Sequence, residues 1–150
     1  MSNENSFGIL KYIEHTIHVN IRFSEVDSLG IVWHGNYLKY FEDGREHLGL
    51  KYGMSYKTMY DNRLILPIVD TQLSFKSVLK FGHTARVVTR LIESKAAKVI
   101  HHYEVFNETT KKLAATGTTT QVFVDEQMEL QLYMPDAFEK WKQTVKWEVK

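Results

Sequence analysis

The chain has 150 residues, 43% hydrophobic and 25% charged, the balance of one globular domain long enough to bury a core. A formal net charge of +1 supplies no broad field to draw in nucleic acid or an anionic membrane, so an anionic ligand has to be gripped locally. There is no cysteine, which excludes a disulfide framework and thiolate chemistry and fits a reducing, cytoplasmic setting. The opening MSNENSFGIL lacks a basic stretch followed by an apolar core, and no apolar run approaches the roughly 20 residues that span a bilayer, so neither export nor membrane insertion is expected.

Residues 1–13 read as a loosely ordered lead-in. From His15 the chain alternates, with Ile17, Val19, Ile21 and Phe23 on one face and Thr16, His18, Asn20 and Arg22 on the other. That period of two predicts a half-buried strand, ending at Ser24 in a loop to Gly35. A helix follows, with Tyr37, Tyr40, Phe41 and Leu48 on one stripe and Asn36 as its expected N-cap. Gly44 falls on the same stripe. A mid-helix glycine costs about 1 kcal/mol relative to alanine, and makes sense where a helix lies close against a flat sheet. Gly49 and Gly53 offer stops, and residues 55–61 read as a further short helical turn.

The rest is mostly strand. Residues 64–76 contain Pro67, which places that strand's beginning at an edge. Residues 85–93 and 99–108 are joined by the polar turn Ser94-Lys95-Ala96-Ala97-Lys98, and residues 113–124 follow another turn. Pro135 is placed as the first residue of a closing helix through about residue 144. Strands joined by tight turns are antiparallel, so the expected fold class is α+β: five antiparallel strands around a long central helix, with a C-terminal helix. Such a sheet covers one face well, which makes self-association a natural expectation.

The stretch Asp27-Ser28-Leu29-Gly30-Ile31-Val32-Trp33-His34-Gly35-Asn36-Tyr37-Leu38-Lys39-Tyr40-Phe41-Glu42, with Arg45 beyond it, resembles the signature of hot-dog-fold acyl-CoA thioesterases of the 4-hydroxybenzoyl-CoA thioesterase type. An aspartate, a glycine three residues on, an aromatic-histidine pair and an Asn-Tyr helix opening keep several spacings at once. The resemblance implies a single hot-dog domain over residues 1–150 that hydrolyses an acyl thioester to the free acid and coenzyme A. It implies a homodimer or homotetramer, no resident cofactor because coenzyme A arrives with the substrate, and no metal. Three positions depart from the pattern: Val78 where proline is common, His83 where an acidic residue is usual, and Trp33 where tyrosine is frequent.

Thioester hydrolysis needs an activated water or an acyl-enzyme nucleophile, together with donors for a developing oxyanion. Asp27 can serve as general base or attack directly. Unpaired backbone N–H groups at a helix start can polarise a carbonyl docked at Trp33, His34 and Gly35, with Gly30 and Gly35 letting the loop come close. His34 is placed to position the carbonyl or the leaving group. Asn36 and Tyr37 border the acyl group, with Trp33 and Tyr40 as further aromatic walls. Ser94, Lys95 and Lys98 are expected, from the resemblance, to meet the nucleotide end of coenzyme A. Lys76 and Lys80 are weaker cationic candidates.

Each assignment has a plainer alternative. An Asp-Ser-Leu-Gly loop is often only a turn whose aspartate bonds its own backbone, and Ser94–Lys98 can be a solvated hairpin. Glu42 and Arg45, three apart on the helix, are expected to pair with each other or with neighbouring loops, although another hot-dog branch uses a helix carboxylate in catalysis. His101 and His102 face opposite sides of a strand, as do His15 and His18, so neither pair shares a metal. Rival readings are an acyl-carrier-protein thioesterase and a non-catalytic acyl-thioester-binding protein.

Overall fold

The computed structural model describes residues 10–150. Strand β1 (Lys11–Asn20) leads through one turn of 3-10 helix at Phe23–Glu25 to the long helix α1 (Asn36–Tyr52) and the short α2 (Tyr56–Asp61). Four strands follow: β2 (Ile68–Phe75), β3 (Thr84–Ile92), β4 (Lys98–Asn107) and β5 (Lys112–Val122). Helix α3 (Asp136–Thr144) and a short β6 (Glu148–Val149) complete the chain. All strands pair antiparallel in the order β2-β5-β4-β3-β1-β6. Six strands stand against the five expected. The extra one pairs only Glu148 and Val149 with β1, too few residues to show a period of two.

Two boundaries of β1 are corrected. It begins at Lys11, because Ile13 is fully buried and pairs with Leu91, so residues 11–13 are no loose lead-in; residues 1–9 lie outside the described residues. It stops at Asn20, since Phe23 leaves the strand for the 3-10 turn and packs edge-on against Phe81 at 5.7 Å. Pro67 just precedes β2, and β2 is an outer strand, as a missing N–H predicts.

Helix α1 packs on one face of the sheet, over β1 and β3. Gly44 allows the close approach, because a Cβ there would overlap the Thr89 hydroxyl. The Phe41 ring stacks on Tyr103 at 4.1 Å and 8°, a contact open only because Gly117 on β5 has no side chain to meet that ring. The core divides along α1 into two apolar clusters. One holds Tyr37, Phe41, Leu79 and Val105, the other Leu48, Leu91, Val99 and Trp141. The outer face of the sheet carries ion pairs: Arg90 bridges Glu14 (2.6 Å) and Glu104 (2.8 Å), and Arg86 meets Glu108 at 3.3 Å. That face therefore does not call for an apolar cover. Among the described residues, no helix is long and apolar enough to cross a membrane.

Candidate active site

The loop before α1 is a small antiparallel turn held at both ends. The Asp27 N–H donates to the Ile31 carbonyl (2.8 Å), and the Asp27 carbonyl accepts from Gly30 (2.9 Å), which sits at φ +77°. One carboxylate oxygen of Asp27 accepts the Leu29 N–H at 2.8 Å, so the plain turn reading is true of half the group. No donor among the described residues bonds its second oxygen. Val32 N–H donates to Leu79 (2.8 Å), tying the loop to the segment before β3.

A tight turn then starts the helix. The Glu25 carbonyl accepts from the Trp33 N–H (2.9 Å) and from the Asn36 side-chain amide (2.8 Å), and the Asn36 N–H donates to Trp33 (2.9 Å). Asn36 is thus the buried first residue of α1 and clamps the loop. The N-cap is Gly35, already in helical conformation, which corrects the expected cap. With the Trp33 amide spent on Glu25, the N–H groups of His34 and Gly35 are the ones with no acceptor among the described residues. Trp33 is half exposed. Its ring tilts against His34 at 4.8 Å and covers Gly35, where a Cβ would overlap it.

Asp27, His34 and Tyr37 line one cleft of about 360 Å³, with Phe75, Lys76 and Val78 opposite. Burial raises the Tyr37 phenol above its ordinary pKa and fixes it as a wall. Tyr40 lines nothing here. Its hydroxyl is enclosed in the core, its pKa pushed up by burial and by the Glu25 carboxylate. A bulge in β5 leaves the Ala114 carbonyl free to accept from both Lys76 (2.8 Å) and Ser77 (3.1 Å), holding the far wall in place. His83, another departure from the family pattern, organises this wall: its Nδ1 accepts from the Lys80 N–H (3.1 Å) and lies 2.8 Å from the Asn107 amide. Lys76 and Phe75 carry no helical or strand pattern pointing to Asp27. Only the fold brings them there.

Other expected groupings do not assemble within one chain. Ser94, Lys95 and Lys98 occupy the β3–β4 turn, at the opposite end of the 9-residue β3 from the Asp27 loop, about 30 Å away. There Lys142 donates to the Ser94 carbonyl (2.6 Å) and pairs with Glu93 (3.1 Å). Arg45 does not pair with Glu42; it donates to the Tyr103 hydroxyl at 3.0 Å, because α1 turns it toward the sheet. His101 is buried under α1, whereas His102 lies on the sheet's other face beside Arg90 and Glu104. No group of three or more metal-ligating side chains occurs among the described residues.

A sequence profile described as the Thioesterase-like superfamily matches residues 21–142, most of the chain and all of this site. The chain belongs to that superfamily. A Bacillus subtilis relative named as a putative acyl-CoA thioesterase, YneP, is 31% identical over 123 residues, covering 82% of this chain and 88% of the relative. A DHNA-CoA thioesterase from Staphylococcus aureus superposes with a TM-score of 0.74 at 28% identity, over 89% of this chain and 90% of that one. A 4-hydroxybenzoyl-CoA thioesterase, solved with 4-hydroxybenzoyl-CoA, superposes at 0.73 over 85% of this chain and 97% of that one; at 19% identity it shows the shared hot-dog fold. In this member of the superfamily the signature from Asp27 to Glu42 is the turn-and-helix segment that builds one wall of the cleft.

Proposed function

We propose that the protein is a thioester hydrolase that cleaves acyl-CoA to a free acid and coenzyme A in the Asp27 cleft. The observation that carries this reading is a carboxylate oxygen without a partner set in the same cleft as the helix start, where two backbone N–H groups, His34 and Gly35, also lack one. An acyl carbonyl accepting from those N–H groups is polarised, and the α1 dipole favours the charge that develops on its oxygen. Asp27 then either takes a proton from water as the water oxygen attacks, or attacks the carbonyl itself and gives a mixed anhydride that water opens. In both routes the C–S bond breaks and the coenzyme A sulfur leaves with its electron pair, taking up a proton. The His34 ring orients the carbonyl or the departing sulfur, Asn36 keeps the turn in register, and Tyr37 bounds the acyl group.

The working unit in this reading is a homo-oligomer. β2 is an outer strand with unpaired backbone groups and exposed Val69 and Phe75, an edge that invites a second copy. Antiparallel pairing of β2 with its copy lays the beginning of one strand beside the end of the other. That brings the partner's turn bearing Ser94, Lys95 and Lys98 toward the Asp27 end, where the phosphates of coenzyme A need cations. The acyl class follows from thiol release measured on short, medium, long and aryl acyl-CoA esters, and turnover of at least one class is expected. Silence across the whole panel would overturn the reading in favour of a carrier-protein thioester or an acyl-binding protein without catalysis.

A further inference from the structure

Both walls of the Asp27 cleft meet on one segment, the strap of residues 76–83 between β2 and β3. Its first half, from Lys76 to Leu79, lines the cleft. Its second half pairs with the Asp27 turn itself. The Leu79 carbonyl accepts from Val32 (2.8 Å), Lys80 bridges antiparallel to Ile31, and the Phe81 N–H donates to Gly30 (3.3 Å). A shift of the strap therefore moves the far wall and the turn that carries Asp27 together. The strap closes in a tight turn, with the His83 N–H on the Lys80 carbonyl (3.0 Å) and Gly82 at φ +87°.

A buried amide and an imidazole hold that turn. Asn107, the last residue of β4, is fully buried, and all four hydrogen-bonding positions of its side chain are used. Its Oδ1 accepts from the N–H groups of Thr109 (3.0 Å) and Thr110 (3.1 Å), which fixes the way the amide lies. Nδ2 is then turned to the strap, where it donates to the Val78 carbonyl (3.3 Å) and to His83 Nδ1 (2.8 Å). The Lys80 N–H donates to the same ring nitrogen at 3.1 Å. Neither donor can accept, so Nδ1 offers a lone pair and the ring proton of the neutral form sits on Nε2. An imidazolium carries a proton on both nitrogens. Protonated, His83 would aim an N–H at two other N–H groups, and the buried Asn107 amide would lose an acceptor. The charged groups on the elements around the ring are Lys80 on the strap, Arg22 beyond β1, and Glu108, Lys111 and Lys112 at the β4–β5 turn. None of them bonds the ring among the described residues, and Glu108 is taken up by Arg86 (3.3 Å) and Lys111 (3.5 Å).

We propose that His83 is a positioning residue for the Asp27 cleft: with Asn107 it latches the strap while Nδ1 is unprotonated, and a proton there releases the latch. The set of acyl groups that the far wall admits then depends on the state of one imidazole. That consequence rests on hydrolysis in the cleft, whereas the latch itself is measured without substrate.

Amide hydrogen exchange of the full chain, followed by mass spectrometry over residues 77–82, tests the latch in two variants. His83→Leu removes the acceptor, and His83→Asn keeps an acceptor oxygen within the reach of Nδ1. His83→Leu is expected to exchange about tenfold faster across the strap, the loss of one acceptor to a buried amide, while β3 and β5 exchange as in the parent. His83→Asn is expected to stay within about twofold of the parent. From about pH 8 to about pH 5, the parent's strap is expected to quicken about tenfold relative to that of His83→Asn, whose residues 77–82 have the same intrinsic exchange chemistry. Hydrolysis supplies the second readout, the ratio of kcat/KM for hexanoyl-CoA to that for acetyl-CoA, in which any unfolded fraction cancels. That ratio is expected to change about threefold or more in His83→Leu and to return in His83→Asn. Exchange in His83→Leu equal to the parent's, a strap that quickens no more than β3 and β5, no rescue by His83→Asn, or the same acid response in the parent and His83→Asn would each overturn the latch. An unchanged acyl ratio would overturn its role in the cleft. A chain that shows the latch yet hydrolyses no acyl-CoA would overturn the hydrolase reading and leave the latch standing.

Discussion

At the start of α1 the fold leaves two backbone donors without an acceptor among the described residues, and midway along it leaves side-chain donors of Arg45 in the same state. One wall of the Asp27 cleft is a turn and a helix start contiguous in sequence, with the N–H groups of His34 and Gly35 meeting no acceptor among the described residues. The Arg45 groove is built from α1, α2, α3 and strands β3, β4 and β5, with a part-buried guanidinium, a buried imidazole and the Glu42 and Glu46 carboxylates beside apolar side chains. Backbone donors at a helix start are rigid and cost no reorganisation when charge develops, which suits a transition state. A part-buried side chain that bonds Tyr103 has no such rigidity, which is why the proposed reaction is set at the helix start.

The largest effect that sharpens this contrast concerns the His34 amide. His34 is the second residue of the turn closed by the Asn36 N–H on the Trp33 carbonyl, a position where proline is favoured. His34→Pro removes an N–H that bonds nothing in the fold, whereas His34→Ala keeps it. Thiol release by His34→Pro is expected to fall roughly 10²- to 10³-fold below that of His34→Ala, with similar melting temperatures. Equal rates would show that the amide does no chemistry.

Next is Gly117, the residue under the Phe41 ring at the junction of the two clusters. Gly117→Ala is expected to destabilise the fold by about 1–3 kcal/mol, read by chemical denaturation, because the added Cβ displaces a ring stacked on Tyr103. A pH-dependent change follows from His101. Its pKa is ordinary, 6.5, in the unfolded chain and about 3 in the fold, so between those values the unfolded state binds more protons. Stability is then fully present above pH 6.5 and is lost progressively as the pH falls below it. His15, lowered by burial and then by Lys51 and His47, acts in the same direction. Replacing His101 with glutamine is expected to flatten the profile, and an unchanged slope would show that the imidazole is not held neutral.

How far each end was legible follows from the same contrast. Asp27, Gly30, His34, Gly35 and Asn36 lie within ten residues, so their spacing carries the site before any fold is known. The alternation of β1 and the stripe of α1 were readable for a like reason, each being a local period. Which amide stays free was not readable. It depends on the Glu25 carbonyl reaching back to Trp33 and Asn36, a contact with no sequence period. The Arg45 groove was illegible altogether. Arg45 and His101 are far apart in the chain, and helical spacing alone suggested Glu42 as Arg45's partner when α1 in fact points it at Tyr103. The two-residue β6 and the start of β1 at Lys11 were hidden because pairing between chain ends fixes them.

Asp27 and Glu42 are the two carboxylates that the sequence offers for the chemistry: Asp27 lines the cleft, and Glu42 lines the other groove together with Glu46, which is held by the Tyr56 N–H. The most direct test is therefore thiol release from one acyl-CoA that the parent protein turns over, measured for Asp27→Asn and Glu42→Gln side by side. Asparagine at 27 can still accept the Leu29 N–H, so the turn is kept while the base or nucleophile is lost. The account predicts that Asp27→Asn stops hydrolysis and Glu42→Gln retains it. Hydrolysis that survives Asp27→Asn and is lost in Glu42→Gln would move the reaction to the groove that Glu42 lines.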